Sequence, residues 1–169
     1  VKKHGKQTIV WEGFRGSGSR NAQIPKDIIV MPFENAYNPS PSLAKHGYTM
    51  INTAWCPLYV VNASRQSPEH IYKWNKYEFG TGRVYERARW FRLKPTPLII
   101  GAQMCAWEQP GWKEIPSLRS RLAPMSERIW NAQAESDFDS LNQRFQFTDQ
   151  LLTRLIRPVM IRAEGLREP

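Results

Sequence analysis

Ile28-Ile29-Val30-Met31, inside the run from Asp27 to Phe33, is apolar at every position. A strand with one wet face alternates apolar and polar residues, whereas a strand of a parallel sheet is covered on both faces and does not. The stretch therefore predicts a parallel strand, and Leu98-Ile99-Ile100 inside Pro97 to Ala106 predicts another. Thr8 to Phe14 and Tyr48 to Ala54 complete a set of four runs rich in β-branched residues. Parallel neighbours are joined by crossovers, so hairpins are not expected.

The connections read accordingly. Ser40 to His46 suits a short helix closed by Gly47, a residue that accepts the left-handed cap conformation. Ser67-Pro68-Glu69 combines a capping hydroxyl, a proline at the first helical position and a carboxylate near the positive end of the dipole, so a helix is predicted from there to about Phe79. Arg15 to Lys26 is Gly/Ser-rich and barely long enough for a crossover. Leu118, Leu122, Met125 and Ile129 recur at helical spacing, as do Phe138, Leu141, Phe145, Leu152 and Leu155. Two closing helices follow, with Pro124 expected to kink the first or delay its regular part, and Arg157 to Pro169 reads as an extension or tail. The order is α/β with parallel βα units, and a complete (β/α)8 barrel, at about 200 to 250 residues, is too long for it.

Composition narrows the function classes. The chain has 169 residues, with 24 Lys+Arg against 15 Asp+Glu and a formal charge of +9. No apolar run reaches the roughly 18 residues of a membrane span, and Val1 opens a basic polar stretch unlike a signal peptide, so neither feature is expected. Cys56 and Cys105 lack metal or redox spacing and read as small core residues, and His4, His46 and His70 are scattered, so no metal or cofactor is expected. Lys2, Lys3 and Lys6 crowd the start. Arg83, Arg87, Arg89, Arg92 and Lys94, interleaved with Tyr85, Trp90 and Phe91, form the pattern that stacks bases and neutralises phosphates, but also that of a solvated basic loop. No RNP, zinc-finger or bZIP pattern accompanies it, and nucleic acid is the weaker expectation.

Aromatic residues fall where the strands end. Trp11 with Glu12 lies toward the end of the first run, Phe33 with Glu34 at the end of the second, Trp55 with Tyr59 just past the third, and Trp107 with Glu108 at the end of the fourth. In parallel α/β architectures, ligands bind at the carboxyl ends of strands. A sugar suits such a place, because its C–H groups meet an aromatic face while its hydroxyls need hydrogen-bonding partners.

Ile99-Ile100-Gly101-Ala102-Gln103-Met104-Cys105-Ala106-Trp107-Glu108, followed by Arg121 to Trp130, resembles the last barrel strand and helix of glycoside hydrolase family 20, the β-N-acetylhexosaminidases. Val10-Trp11-Glu12 is similar to that family's fifth-strand motif. Gly47 to Asn52, running into Trp55-Cys56-Pro57-Leu58-Tyr59-Val60-Val61, is similar to its seventh strand, and Ile71-Tyr72-Lys73-Trp74 to the aromatic segment after it. The resemblance implies strands five to eight of a (β/α)8 TIM barrel with C-terminal helices. It implies one partial catalytic domain over 1–169, the half barrel spanning about 8–131 and a helix and tail 136–169.

Such enzymes cleave terminal N-acetylglucosamine or N-acetylgalactosamine with the substrate's own acetamido oxygen as nucleophile. That requires an aromatic wall for the acetamide, an acid for the leaving oxygen and a carboxylate to orient the acetamide. In the family the last two are an adjacent Asp-Glu pair at the fourth strand, and this sequence contains no Asp-Glu dipeptide. The resemblance thus implies no catalytic residue in this chain. It implies substrate-binding roles for Trp11, Phe33, Trp55, Tyr59 and Trp107, with Glu108 or Gln109 meeting sugar hydroxyls. Phe33 stands where the family often has Trp. Trp107-Glu108-Gln109 places its carboxylate one position earlier than the family does, and Tyr59-Val60-Val61 lacks the carboxylate of the family's Tyr-x-Asp. The implied partners are N-acetylhexosamine glycans and an amino-terminal half barrel or a second copy, and the implied location is secreted, periplasmic or cell-surface. Asn62-Ala63-Ser64 is a formal glycosylation sequon. Glu127 and Arg128 read as an exterior ion pair or helix-to-loop contact.

Overall fold

The computed structural model describes residues 1–14, 24–61, 66–81, 90–133 and 137–164, those from 156 onward by backbone alone. Much of the glycine-rich first connection, the basic stretch over 82–89 and the sequon at Asn62 lie outside the described residues. Two compact units are present, Val1–Ala134 and Glu135–Pro169.

The first unit holds a parallel sheet of β1 (Ile9–Trp11), β2 (Ile29–Met31), β3 (Thr49–Asn52) and β6 (Ile99–Ala102), lying side by side in that order. Each strand falls inside one of the four apolar runs, and every pairing is parallel. The order lacks the reversal that defines the switch point of a doubly wound sheet; consecutive barrel strands are ordered in this way. Register explains the burial. Val10, Val30, Met50 and Ile99 are paired across the sheet and share one core with Leu43 of α1 (Ser40–Lys45). On the alternate row, Ile9 is 51% exposed at one edge strand and Ile100 is 56% exposed at the other.

The helix expected from Ser67 to Phe79 is shorter. Ser67 caps α3 (Pro68–Lys73) by accepting the His70 N–H at 3.1 Å, as its sequence requires. Beyond Lys73 the chain turns extended, because fully buried Asn52 at the end of β3 donates to the Lys76 and Glu78 carbonyls at 2.9 and 2.8 Å. The Trp74 indole N–H also donates to Glu78, at 2.9 Å. Side-chain donors of this kind offer the backbone carbonyls an alternative to the helix ladder. Glu78–Phe79 instead forms β4, antiparallel to β5 (Phe91–Arg92), so an antiparallel pair exists where the apolar runs predicted none.

The helix after β6 also begins earlier than its apolar period. It is α4 (Gly111–Trp130), and it continues through Pro116 and Pro124. A proline inside a helix costs about 3 kcal/mol. Tertiary packing offsets this here, since Met125 and Ile129 of α4 pack with Leu58, Ile71 and Trp74. Arg128 is buried rather than exterior: its guanidinium donates to the carbonyls of Trp74 at 3.2 Å and Ala132 at 3.1 Å. Glu127 accepts the Tyr72 hydroxyl at 2.7 Å. The pair fastens α4 to α3.

The second unit is α5 (Phe138–Glu164), which carries the predicted apolar period and extends through most of the expected tail. Phe147, Leu151, Leu152 and Leu155 are exposed along it. Among the described residues no helix is long and apolar enough to cross a membrane.

Candidate functional site

The sheet's hydrogen-bond ladder continues past the strands, and this continuation sets the site. Thr53 N–H and Oγ1–H both donate to the Pro32 carbonyl, at 3.3 and 2.8 Å, and Trp55 N–H donates to the Phe33 carbonyl at 2.7 Å. Gln103 N–H donates to Asn52 at 2.9 Å. Further out, Cys105 N–H donates to the Leu58 carbonyl at 2.9 Å and Val60 N–H to the Cys105 carbonyl at 2.7 Å, a parallel bridge of Tyr59 with Cys105. The loops after β2, β3 and β6 are therefore registered against one another although none is a strand.

On that frame the rings of all four strand ends meet. Trp11, the last residue of β1, lies edge-on to Phe33 with centroids 5.6 Å apart, and 6.5 Å from Trp107. Phe33 is 6.4 Å from Tyr59 at 26°. Tyr59 stacks on Trp55 at 4.3 Å and 18° across the single turn α2 (Trp55–Leu58). The rings form one unbroken series, Trp107, Trp11, Phe33, Tyr59, Trp55, with contacts worth roughly 0.5–1.5 kcal/mol each beyond burial. Trp107 is 51% exposed and the other four are half-buried, so the series is only partly covered. Trp11 and Trp107 meet directly, and Tyr59 joins them through Phe33.

Polar groups flank the face. The Tyr59 hydroxyl is pushed above its ordinary pKa, mainly by burial, with the Cys105 thiol and the Glu108 and Glu34 carboxylates adding to it. A phenol so placed stays protonated and can donate. Glu108 is exposed and sits in the left-handed region at φ 60°. The Gln109 side-chain amide donates to the Val60 carbonyl at 2.6 Å, which commits one of its hydrogens to fastening the β6 loop.

One residue of the site escaped the sequence reading as a candidate. Glu12, next to Trp11, is fully buried, and its Oε1 accepts the N–H groups of Glu34 at 3.3 Å and Ala36 at 3.0 Å. Burial raises its pKa, against the lowering effect of the Ala36, Glu34, Asn35 and Phe33 N–H groups. The signal was available, since an acid directly after an inward Trp must face the opposite side of the strand. Cys56 is not a plain core residue either: its Sγ lies 3.6 Å from Gln66 Oε1 and 3.9 Å from His70 Nε2. Burial holds both thiols above their usual pKa. Among the described residues no three His, Cys, Asp or Glu side chains are grouped as a metal set. A cavity of about 550 Å3 bordered by Lys2, Lys3 and Lys6 lies at the opposite, amino-terminal end of the sheet.

No family model matches the chain, and no curated protein does. Among solved structures its fold is similar to that of Dispersin B, with a TM-score of 0.56 over 76% of this chain at 18% identity. The chain spans 44% of the length of that neighbour. At this identity the likeness is one of fold.

Proposed function

We propose that this chain supplies the aromatic wall of an N-acetylhexosamine site in a β-N-acetylhexosaminidase of the family 20 type. The observation that carries the reading is the continuous series of five partly exposed rings, drawn from the ends of all four parallel strands. Trp11, Phe33, Trp55, Tyr59 and Trp107 hold the apolar face and acetamide of the sugar, while Glu108 and Gln109 meet its hydroxyls. The fold similarity to Dispersin B supports a site at the strand ends, where parallel α/β architectures bind ligands.

The chain carries binding groups without the acid and the orienting carboxylate, since no Asp-Glu pair is in the sequence. Hydrolysis then requires a second half. β1 and β6 are paired on one side only among the described residues, and Ile9 and Ile100 beside those edges are exposed. An apolar parallel sheet of this kind is stable when covered, and four more parallel strands, from another segment or a second copy, would close a barrel wall. Titration of the full chain with N-acetylglucosamine, followed by tryptophan fluorescence, tests the reading. Saturable quenching that glucose does not reproduce is expected, together with no turnover of a chromogenic N-acetylglucosaminide. Equal response to both sugars, or none, would overturn it.

The missing acids favour a second reading, a non-catalytic module that binds amino sugars. Turnover after addition of a matching amino-terminal half barrel would exclude that reading.

A further inference from the structure

Strand alternation turns Trp11 and Glu12 to opposite sides of β1. Trp11 joins the ring series, and Glu12 is enclosed behind it with none of its surface exposed. Its Oε1 receives two N–H groups of the loop between β2 and α1, from Glu34 at 3.3 Å and Ala36 at 3.0 Å. Its backbone carbonyl receives the Asn38 side-chain N–H at 3.0 Å, and Asn38 also donates to the Phe14 carbonyl. The far end of the same loop is pinned by Asn35, whose Oδ1 accepts the Ser40 N–H at 2.9 Å where α1 begins. Phe33 opens this loop, so its ring is set by groups that Glu12 holds.

Glu12 Oε2 is buried and has no hydrogen-bonding partner among the described residues. A carboxyl in that state costs stability relative to an apolar side chain of similar volume. What it contributes is placement.

We propose that Glu12 is the positioning residue of the ring wall, clamping the β2–α1 loop to the end of β1 so that Phe33 stands edge-on to Trp11 and in line with Tyr59. Ionisation of the carboxyl works against the clamp. Burial disfavours its ionised form, and among the described residues that bond or shift it only Glu34 is titratable, with the same sign of charge. A charge appearing behind the rings draws water into the seam and separates the loop from β1. The wall therefore loosens as pH rises through the elevated pKa of Glu12. Only the binding part of this inference rests on the amino-sugar reading.

The experiment compares Glu12→Gln and Glu12→Ala with the parent chain by near-UV circular dichroism of the rings, by far-UV dichroism, and by titration with N-acetylglucosamine. Glu12→Gln keeps the acceptor and stays neutral, so it is expected to preserve the ring signal and affinity and to abolish the pH dependence of the ring signal. Glu12→Ala is expected to change the ring signal at constant far-UV signal and to weaken sugar binding by roughly tenfold or more, as misplaced binding groups do. Three results would overturn the proposal: an unchanged ring signal in Glu12→Ala, the same loss in Glu12→Gln, or the same pH course in Glu12→Gln and the parent. If Glu12→Ala does not fold, the pH comparison of Glu12→Gln with the parent decides alone. A parent chain that binds no amino sugar while its ring signal follows Glu12 would remove the sugar reading and leave the positioning role standing.

Discussion

Trp55 and Tyr59 stack face to face, centroids 4.3 Å apart and planes 18° from parallel, across a turn that the Tyr59 N–H closes by donating to the Trp55 carbonyl at 2.9 Å, although Cys56 and Pro57 between them depart from helical backbone. Tyr59 also lies 6.4 Å from Phe33, so it joins the β3 part of the ring series to the β1 and β2 part.

Tyr59→Ala should therefore divide the series in two. We expect amino-sugar affinity to fall by about tenfold or more, the size of effect seen when a central aromatic anchor is truncated. Tyr59→Phe keeps the stack and removes only the hydroxyl, so its loss should be smaller. Fluorescence titration of both variants checks the ranking, and equal losses would assign the effect to the hydroxyl.

Gly80 faces the backbone of the same turn. A Cβ at this position would sit 2.6 Å from the Cys56 carbonyl oxygen and 3.2 Å from the Trp90 ring. Backbone cannot yield as a side-chain tip does, so Gly80→Ala should destabilise the chain by about 1–3 kcal/mol, as overpacking does. Urea unfolding measures this, and the Trp55–Tyr59 contact should report it in the near-UV spectrum.

Asn52→Ala leaves the Lys76 carbonyl without its side-chain donor and the Ala54 N–H without its acceptor, while the Glu78 carbonyl keeps only the Trp74 indole N–H of its two side-chain donors. Buried unpaired groups cost about 1–3 kcal/mol each. We expect a loss of at least 2 kcal/mol, with β4 the first element to give way. Hydrogen exchange at Glu78 and Phe79 would show it first.

The pH dependence of stability carries the mark of Glu12. Its folded pKa lies above the ordinary value of 4.5, so the folded state binds more protons there than the unfolded one. Its contribution is fully present below that ordinary value and is lost as pH rises through the elevated folded value. Asp27 runs the other way, since its hydrogen bond with Lys2 lowers its pKa and its contribution is lost as pH falls. Unfolding midpoints against pH should show the upper loss in the parent chain and not in Glu12→Gln. A Glu12→Gln profile that parallels the parent would assign that loss to another group.

The four parallel strands were legible because uninterrupted apolar runs such as Ile28 to Met31 fit a sheet covered on both faces. The ring positions were legible because each run ends in, or is followed directly by, an aromatic residue. The end of α3 was not, since Trp74 to Phe79 carries nothing unlike a helix until Asn52, more than twenty residues earlier, captures its carbonyls. The start of α4 was hidden for a related reason. Its first turns, with exposed Trp112 and Ile115, lack the one-sided pattern that marks a helix.

By itself the sequence determined the parallel strands, the helix start at Ser67 and the aromatic endings, because each depends on neighbours within a few residues. Only the tertiary structure decided that five rings from four strand ends form one series, that Glu12 lies sealed behind them, and that Arg128 is buried in the seam between α3 and α4. Those outcomes depend on registry between strands and on packing between segments up to about a hundred residues apart, which no local pattern encodes.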